Sequence, residues 1–183
     1  GYVYIAQPPL YKIKNGKDER YLKDDLEEAN HMMSIALQGA SLIPDDNTTP
    51  ISGEQLKTMA EQHTVAYNII QRLSRLIDMD ILAAIMNGAK LRLNTPEEAE
   101  KSAEELRKAI NNPSVSVSVE KDANDVCSLV VKKTLYGNTH VTVLDTDFVY
   151  GNDYRILEKT ATSFINLIGS GALIRRGEGD RMK

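Results

Sequence analysis

Residues 95–119 read TPEEAEKSAEELRKAINNPSVSVSV, and the period of the chain changes inside them. Thr95 stands where a helix N-cap belongs, Pro96 at the first helical position, and Glu97 and Glu98 in the first turn. Ala99, Ala103, Leu106 and Ile110 then recur at helical spacing until Pro113, which cannot continue a helix. Two residues later Val115, Val117 and Val119 alternate with Ser116 and Ser118, the period of a half-buried strand. Cys127, Leu129 and Val131 continue as a second strand, Gly137-Asn138 turns the chain, and Val141 and Val143 return as a third. Strands joined by short turns make an antiparallel meander. Gly151-Asn152-Asp153 then precedes a final helix over 154–168, with Leu157, Ala161, Phe164, Ile165 and Ile168 on one side.

Upstream of this switch the helical period dominates. Ser52 and Gln55 resemble a capping box, and Leu56, Met59, Ala60, His63, Ala66, Tyr67, Ile70, Leu73 and Ile77 keep to one stripe. A shorter helix is expected over 80–87, ending at Gly88. An earlier helix starts at Asp24 and Asp25, carries Leu26, Ala29, Met33, Ala36 and Leu37, and ends at Gly39. Residues 40–52, with Pro44, Asp45, Asp46, Asn47 and Pro50, read as the least structured stretch and the best linker. At the N-terminus residues 2–6 read as a buried strand, stopped by Pro8-Pro9. Leu10 to Lys14 alternate apolar and basic, Asn15-Gly16 is a hairpin signal, and residues 19–22 form the returning strand. Helices followed by a meander and a helix, after an N-terminal strand and hairpin, define an α+β class.

The chain has 183 residues, enough for one ordinary domain or one with a fragment of another. With no Trp and only 2 Phe, its core must be aliphatic. The net charge of −4 excludes a globally basic nucleic-acid binder. That total conceals segregation. Residues 1–23 carry Lys12, Lys14, Lys17, Arg20 and Lys23 against two acids, for +3. Residues 172–183 carry Arg175, Arg176, Arg181 and Lys183 against two acids, for +2. The long middle therefore holds −9. Such asymmetry concerns partners rather than fold. The single Cys excludes a disulfide framework and suits a reducing compartment. No apolar run reaches the length of a membrane span, and no signal-peptide pattern opens the chain. The missing initiator Met suggests a piece of something longer.

Residue chemistry alone yields no catalytic or metal site. His31, His63 and His140 share no metal-ligand spacing, and His63 on its apolar stripe is expected to be partly buried. Cys127 on a strand reads as a small hydrophobe. Asp145-Thr146-Asp147 places two carboxylates after a strand, as a Mg²⁺ ion would want, but no glycine follows directly and no recognisable motif places a third acid. The pair reads as a strand end or turn. Glu178-Gly179-Asp180 is a second acid pair, in the tail. No phosphate loop of the GxxxxGK[ST] type is present.

One resemblance is specific. The run from Gly1 to Lys12, GYVYIAQPPLYK, with Gly16-Lys17 and Tyr21-Leu22-Lys23-Asp24-Asp25, closely resembles bacterial DNA gyrase B subunits near the end of their TOPRIM region. Residues 148–155, FVYGNDYR, and 174–178, IRRGE, are similar to the large insertion that Gram-negative gyrase B subunits carry there. The resemblance implies that residues 1–39 derive from TOPRIM, as strand, hairpin and helix. Residues 40–183 would be the insertion domain with a basic tail. It implies an ATPase domain, a Glu-Gly-Asp-Ser motif and an Asp-x-Asp metal motif upstream, and Arg-Tyr-Lys-Gly-Leu-Gly-Glu downstream. Asp145 and Asp147 are not at the family's metal position.

The resulting expectation is a part of a cytoplasmic, ATP-dependent type II topoisomerase, with ATP and Mg²⁺ in the parent and no cofactor in this segment. Its partners would be DNA, the gyrase A subunit in an A2B2 assembly, and the remaining TOPRIM and ATPase domains, with no membrane. Lys12, Lys14, Lys17, Arg175 and Arg176 are the expected DNA contacts, near two chain ends that enter and leave one domain. The acidic body would face away from DNA as a spacer. A second expectation is a protein-interaction module that docks through the helices at 53–77 and 95–111.

Overall fold

A computed structural model describes residues 8–15, 18–44, 49–168 and 171–177. Among these the class is α+β, with six helices and three small antiparallel sheets. The expected strand over 2–6, the acid pair at 178–180 and Lys17 lie outside the described residues. The chain divides into two compact units, residues 1–60 with 171–183 and residues 61–170.

In the first unit β1 (Tyr11–Asn15) pairs with β2 (Asp18–Leu22), from Tyr11 opposite Leu22 to Asn15 opposite Asp18. Asn15, read as half of the turn, is thus the last residue of β1. Helix α1 (Asp25–Leu37) follows, with the Asp24 carboxylate accepting from Glu27 N at 2.8 Å and acids in the first turn. Tyr11 donates its hydroxyl to Asp25, which ties the hairpin to the helix and raises the Tyr11 pKa. Gly39 then takes φ +71°, a conformation that terminates helices.

The stretch read as a linker is different. Ala40–Ile43 form β3 and Ile51–Ser52 form β4, and the two pair. The residues read as a tail also form a strand. Leu173–Arg176 are the last strand of the chain, β8, and pair antiparallel with β3. Both segments are too short and mixed to show a period of their own. β3 lies between β4 and β8, and β8 is a strand only because this partner near the other end of the chain completes its ladder. Leu22, Ala40 and Leu42 are the buried apolar side chains of this unit among the described residues.

Helix α2 (Gly53–Leu73) contains the boundary between the units and buries only Ala66 and Ile69. His63 is exposed, with its ring edge-on to Phe164 at 5.6 Å, so the expectation of partial burial is corrected. The stripe is interrupted there because the helix faces little of the core.

The second unit is built on α3 (Met79–Met86), α4 (Pro96–Ile110) and α6 (Asn152–Ile168) with the meander β5 (Val115–Lys121), β6 (Cys127–Leu135) and β7 (Asn138–Leu144). Thr95 caps α4 by accepting from Glu98 N, and Pro96 opens it. Ala99, Ala103 and Leu106 bury beneath Val115, Val117, Leu129 and Val131. The core is aliphatic, with Tyr154 its one large buried aromatic among the described residues.

Tyr154 belongs to a device that no periodicity announces. Between α3 and α4 the backbone runs extended over 90–93, and side chains take its N–H groups from both sides. Lys90 N donates to Glu105 and Arg92 N to Ser102, both on α4. Leu91 N donates to the Tyr154 hydroxyl at 2.7 Å and Leu93 N to the Tyr150 hydroxyl at 3.0 Å. Alternate donors thus find partners as in a sheet, but the partners are side chains.

Candidate nucleic-acid interface

Alternation along β1 puts Lys12 and Lys14 on one face, opposite Tyr21 and Glu19 of β2. Glu19 lies between them: Lys12 Nζ is 2.7 Å from one carboxylate oxygen and Lys14 Nζ 3.7 Å from the other. Lys12 also stands 5.6 Å from the Tyr21 ring centroid, within cation–π range. All four side chains are exposed. Exposed ion pairs of this kind contribute up to about 1 kcal/mol, so either lysine can exchange Glu19 for a phosphate at small cost. Sequence reading missed Glu19 as their counter-charge. The cross-strand register, which the Asn-Gly signal alone does not give, sets Glu19 across from Lys14.

Arg175 and Arg176 lie on β8, opposite Ser41 and Ala40 of β3. Their tasks differ. Arg176 Nη2 donates to the Ile35 carbonyl, 3.2 Å away in the last turn of α1. That turn contains no basic residue, and the guanidinium supplies the positive charge favoured at a helix C-terminus. Among the described residues the Arg175 side chain makes a local bond, Nε to the Gly177 carbonyl at 3.2 Å. The structure therefore groups Lys12 with Lys14 on the hairpin, and Arg175 with Arg176 on a separate sheet.

The other sequence candidates have structural work. Asp145 is the N-cap of a short helix α5 (Thr146–Val149) and accepts from Phe148 N at 2.9 Å, while Asp147 is exposed in its first turn. Cys127 is buried on β6. No group of three or more His, Cys, Asp or Glu residues is arranged to hold a metal among the described residues. No helix among them is long and apolar enough to cross a membrane.

Comparison with known proteins supplies the family. A family model described as the DNA gyrase B subunit insert domain matches residues 40–183. The chain belongs to the DNA gyrase B insert-domain family. A second model, described as the hook of GyrB, matches residues 9–37 of this insert-domain chain. The DNA gyrase B subunit of Caulobacter vibrioides (strain NA1000 / CB15N) is 27% identical over 176 residues, 96% of this chain and 21% of that protein. The DNA gyrase B subunit of Rickettsia prowazekii is 31% identical over 113 residues, 61% of this chain and 13% of that protein. The type 2 topoisomerase B subunit of Aquifex aeolicus is 43% identical over 56 residues, 31% of this chain and 7% of that protein. The insert-domain chain thus spans about a fifth or less of the length of these relatives.

Proposed function

We propose that this chain serves a DNA gyrase B subunit as an architectural insertion that supports DNA binding and couples it to strand passage. In this reading residues 1–39 come from the TOPRIM region and residues 40–183 are the insertion. The parent is an ATP-dependent type II topoisomerase of the cytoplasm that negatively supercoils DNA. It works with the gyrase A subunit in an A2B2 assembly, against its own remaining TOPRIM and ATPase domains. ATP and Mg²⁺ belong to the parent. The Asp145 and Asp147 carboxylates do not fit a metal site, since Asp145 is engaged in capping α5, and no step is assigned to them.

The observation that carries the reading is the insert-domain match over 40–183, joined to exposed basic side chains on two strands of one unit. Lys12, Lys14, Lys17 and Arg175 would neutralise phosphates without reading bases. Arg176 would act chiefly by holding α1 against β8. The test is the triple variant Lys12→Ala, Lys14→Ala, Arg175→Ala in the full-length subunit assembled with gyrase A. DNA affinity should fall and its salt dependence should flatten. Affinity unchanged at low salt would remove the electrostatic role.

The reading as a protein-interaction module is narrowed by the helices. The apolar stripe of α4 is consumed by the core, whereas α2 leaves Val65 and Tyr67 exposed. This favours α2 over the apolar stripe of α4 in that reading.

A further inference from the structure

The two faces of the β1–β2 hairpin are unlike. One carries Leu22, which is buried, and Tyr11, which bonds Asp25 of α1. The other, among the described residues, carries Lys12, Lys14, Glu19 and Tyr21, all exposed. Register sets Lys14 opposite Glu19 and Lys12 opposite Tyr21. Glu19 therefore meets one lysine across the ladder and the other on the diagonal, and its carboxylate is divided between them. One oxygen stands 2.7 Å from Lys12 Nζ, and the other 3.7 Å from Lys14 Nζ. The Tyr21 ring flanks Lys12, 5.6 Å from its ammonium.

Two ammonium groups converging on one carboxylate form an anion seat that is already filled. A carboxylate presents two charged oxygens on a single atom, and a phosphodiester does the same. Either can span both lysines. The seat holds two positive charges and one negative, so a phosphate that enters it must displace Glu19.

Displacement is easy but incomplete. The side chains of Lys12, Lys14 and Glu19 remain 49%, 66% and 39% exposed, so water screens both ion pairs. Glu19 cannot withdraw far, because the ladder fixes its backbone opposite Lys14. Its carboxylate stays beside the incoming phosphate, and like charges at that range repel. Glu19 also has a favourable effect, since it keeps the two lysines convergent before an anion arrives. That effect is the smaller one: Lys14 is held loosely at 3.7 Å, so little order is lost with Glu19.

We propose that Glu19 occupies the phosphate seat of Lys12 and Lys14 when DNA is absent, and acts as a built-in competitor that loosens the grip of this hairpin on the DNA backbone. This role of Glu19 rests on the proposed reading of the hairpin as a DNA contact and adds regulation to it. A tethered carboxylate recaptures the lysines as a phosphate leaves, which suits a subunit that must hold DNA and then release it.

The test is Glu19→Gln, which keeps the shape of the side chain and removes its charge, in the full-length gyrase B subunit assembled with purified gyrase A. Binding of linear duplex DNA should tighten about two- to fivefold at low salt, the fold-change equivalent of an exposed ion pair. The slope of log affinity against log salt should steepen by up to about 1. In a Lys12→Ala, Lys14→Ala background the same substitution should change affinity by less than about 1.5-fold, because no seat remains to compete for. Binding unchanged or weakened by Glu19→Gln overturns the proposal, and weakening is what a mere brace of the hairpin would give. A gain that persists undiminished without the lysines reports general repulsion and also overturns it. If the double lysine variant binds DNA more weakly while Glu19→Gln brings no gain, the competitor fails and the DNA contact stands. If the double lysine variant binds as before, both fall.

Discussion

Arg175 and Arg176 are adjacent in sequence, equal in charge and different in employment. Only Arg176 reaches the Ile35 carbonyl of α1. Arg176→Ala should therefore cost about 1 kcal/mol in urea unfolding, the usual worth of one such hydrogen bond. Arg175→Ala should leave stability within about 0.5 kcal/mol, as surface substitutions generally do. Equal effects of the two would remove the helix-capping role. Tyr154 makes a stronger case. Its hydroxyl is the buried partner of Leu91 N, so Tyr154→Phe leaves an N–H unsatisfied and should cost about 1–3 kcal/mol.

The same residue predicts an alkaline limit. Burial pushes the Tyr154 pKa up from 10.0, and hydrogen bonds to Asp80 and Asp78 push that of Lys133 up from 10.5. In both, folding favours the protonated form. Their stabilisation is complete below the ordinary values and is lost as pH rises through the raised ones. Unfolding free energy should fall above about pH 10. Tyr154→Phe and Lys133→Ala should each make that fall shallower; a steeper fall in either would contradict the assignment.

At the scale of elements, what was legible in the sequence was whatever is settled locally. Helix α4 begins at its Thr95 cap as read, and α1 begins after Asp24. Both hairpins were legible with a displaced register: Asn15, read as a turn residue, ends β1, and Tyr136-Gly137 rather than Gly137-Asn138 connects β6 to β7. The displacement is understandable, because cross-strand register, not the dipeptide alone, decides which two residues turn. Strand β8 was illegible, since it depends on β3 across most of the chain, and β3 is too short and mixed to show a period. So was the clamp on residues 90–93, whose acceptors come from two distant helices and the loop between α5 and α6. Gly88 takes φ +98°, and a Cβ there would stand 2.6 Å from Ile165 Cδ1. Ile165 Cδ1 is the end of a flexible, exposed side chain that can move aside, so Gly88→Ala should cost about 1–2 kcal/mol chiefly through the left-handed backbone, measured by thermal or urea unfolding. A neutral result would remove the backbone strain.

For the whole molecule the decisive quantity is the distribution of charge rather than its sum. Pairing of β3 with β8 places the basic C-terminal strand in the same compact unit as the basic hairpin, while the second unit lies within the acidic middle. Each phosphate contact contributes about 0.9 to the slope of log affinity against log salt. Removing Lys12, Lys14 and Arg175 together should therefore lower that slope by about 2–3 in the full-length assembly. The DNA candidates were legible as residue types at the chain ends. Their unequal freedom was not, because it depends on Glu19 across a hairpin and on a helix end near Arg176.

The sequence by itself determined the class: helical periods, a switch to alternation after Pro113, and caps that mark where helices start. It also determined the family, through motifs that survive as short contiguous strings. These are properties of neighbours along the chain, carried by backbone sterics and side-chain spacing. Tertiary structure alone decided that 40–43 and 173–176 are strands, that α4 is consumed by the core while α2 is not, and that Arg176 caps a helix. The reason is physical: a donor, a charge or an apolar surface acquires its role from what folding brings against it, and those partners are distant in sequence.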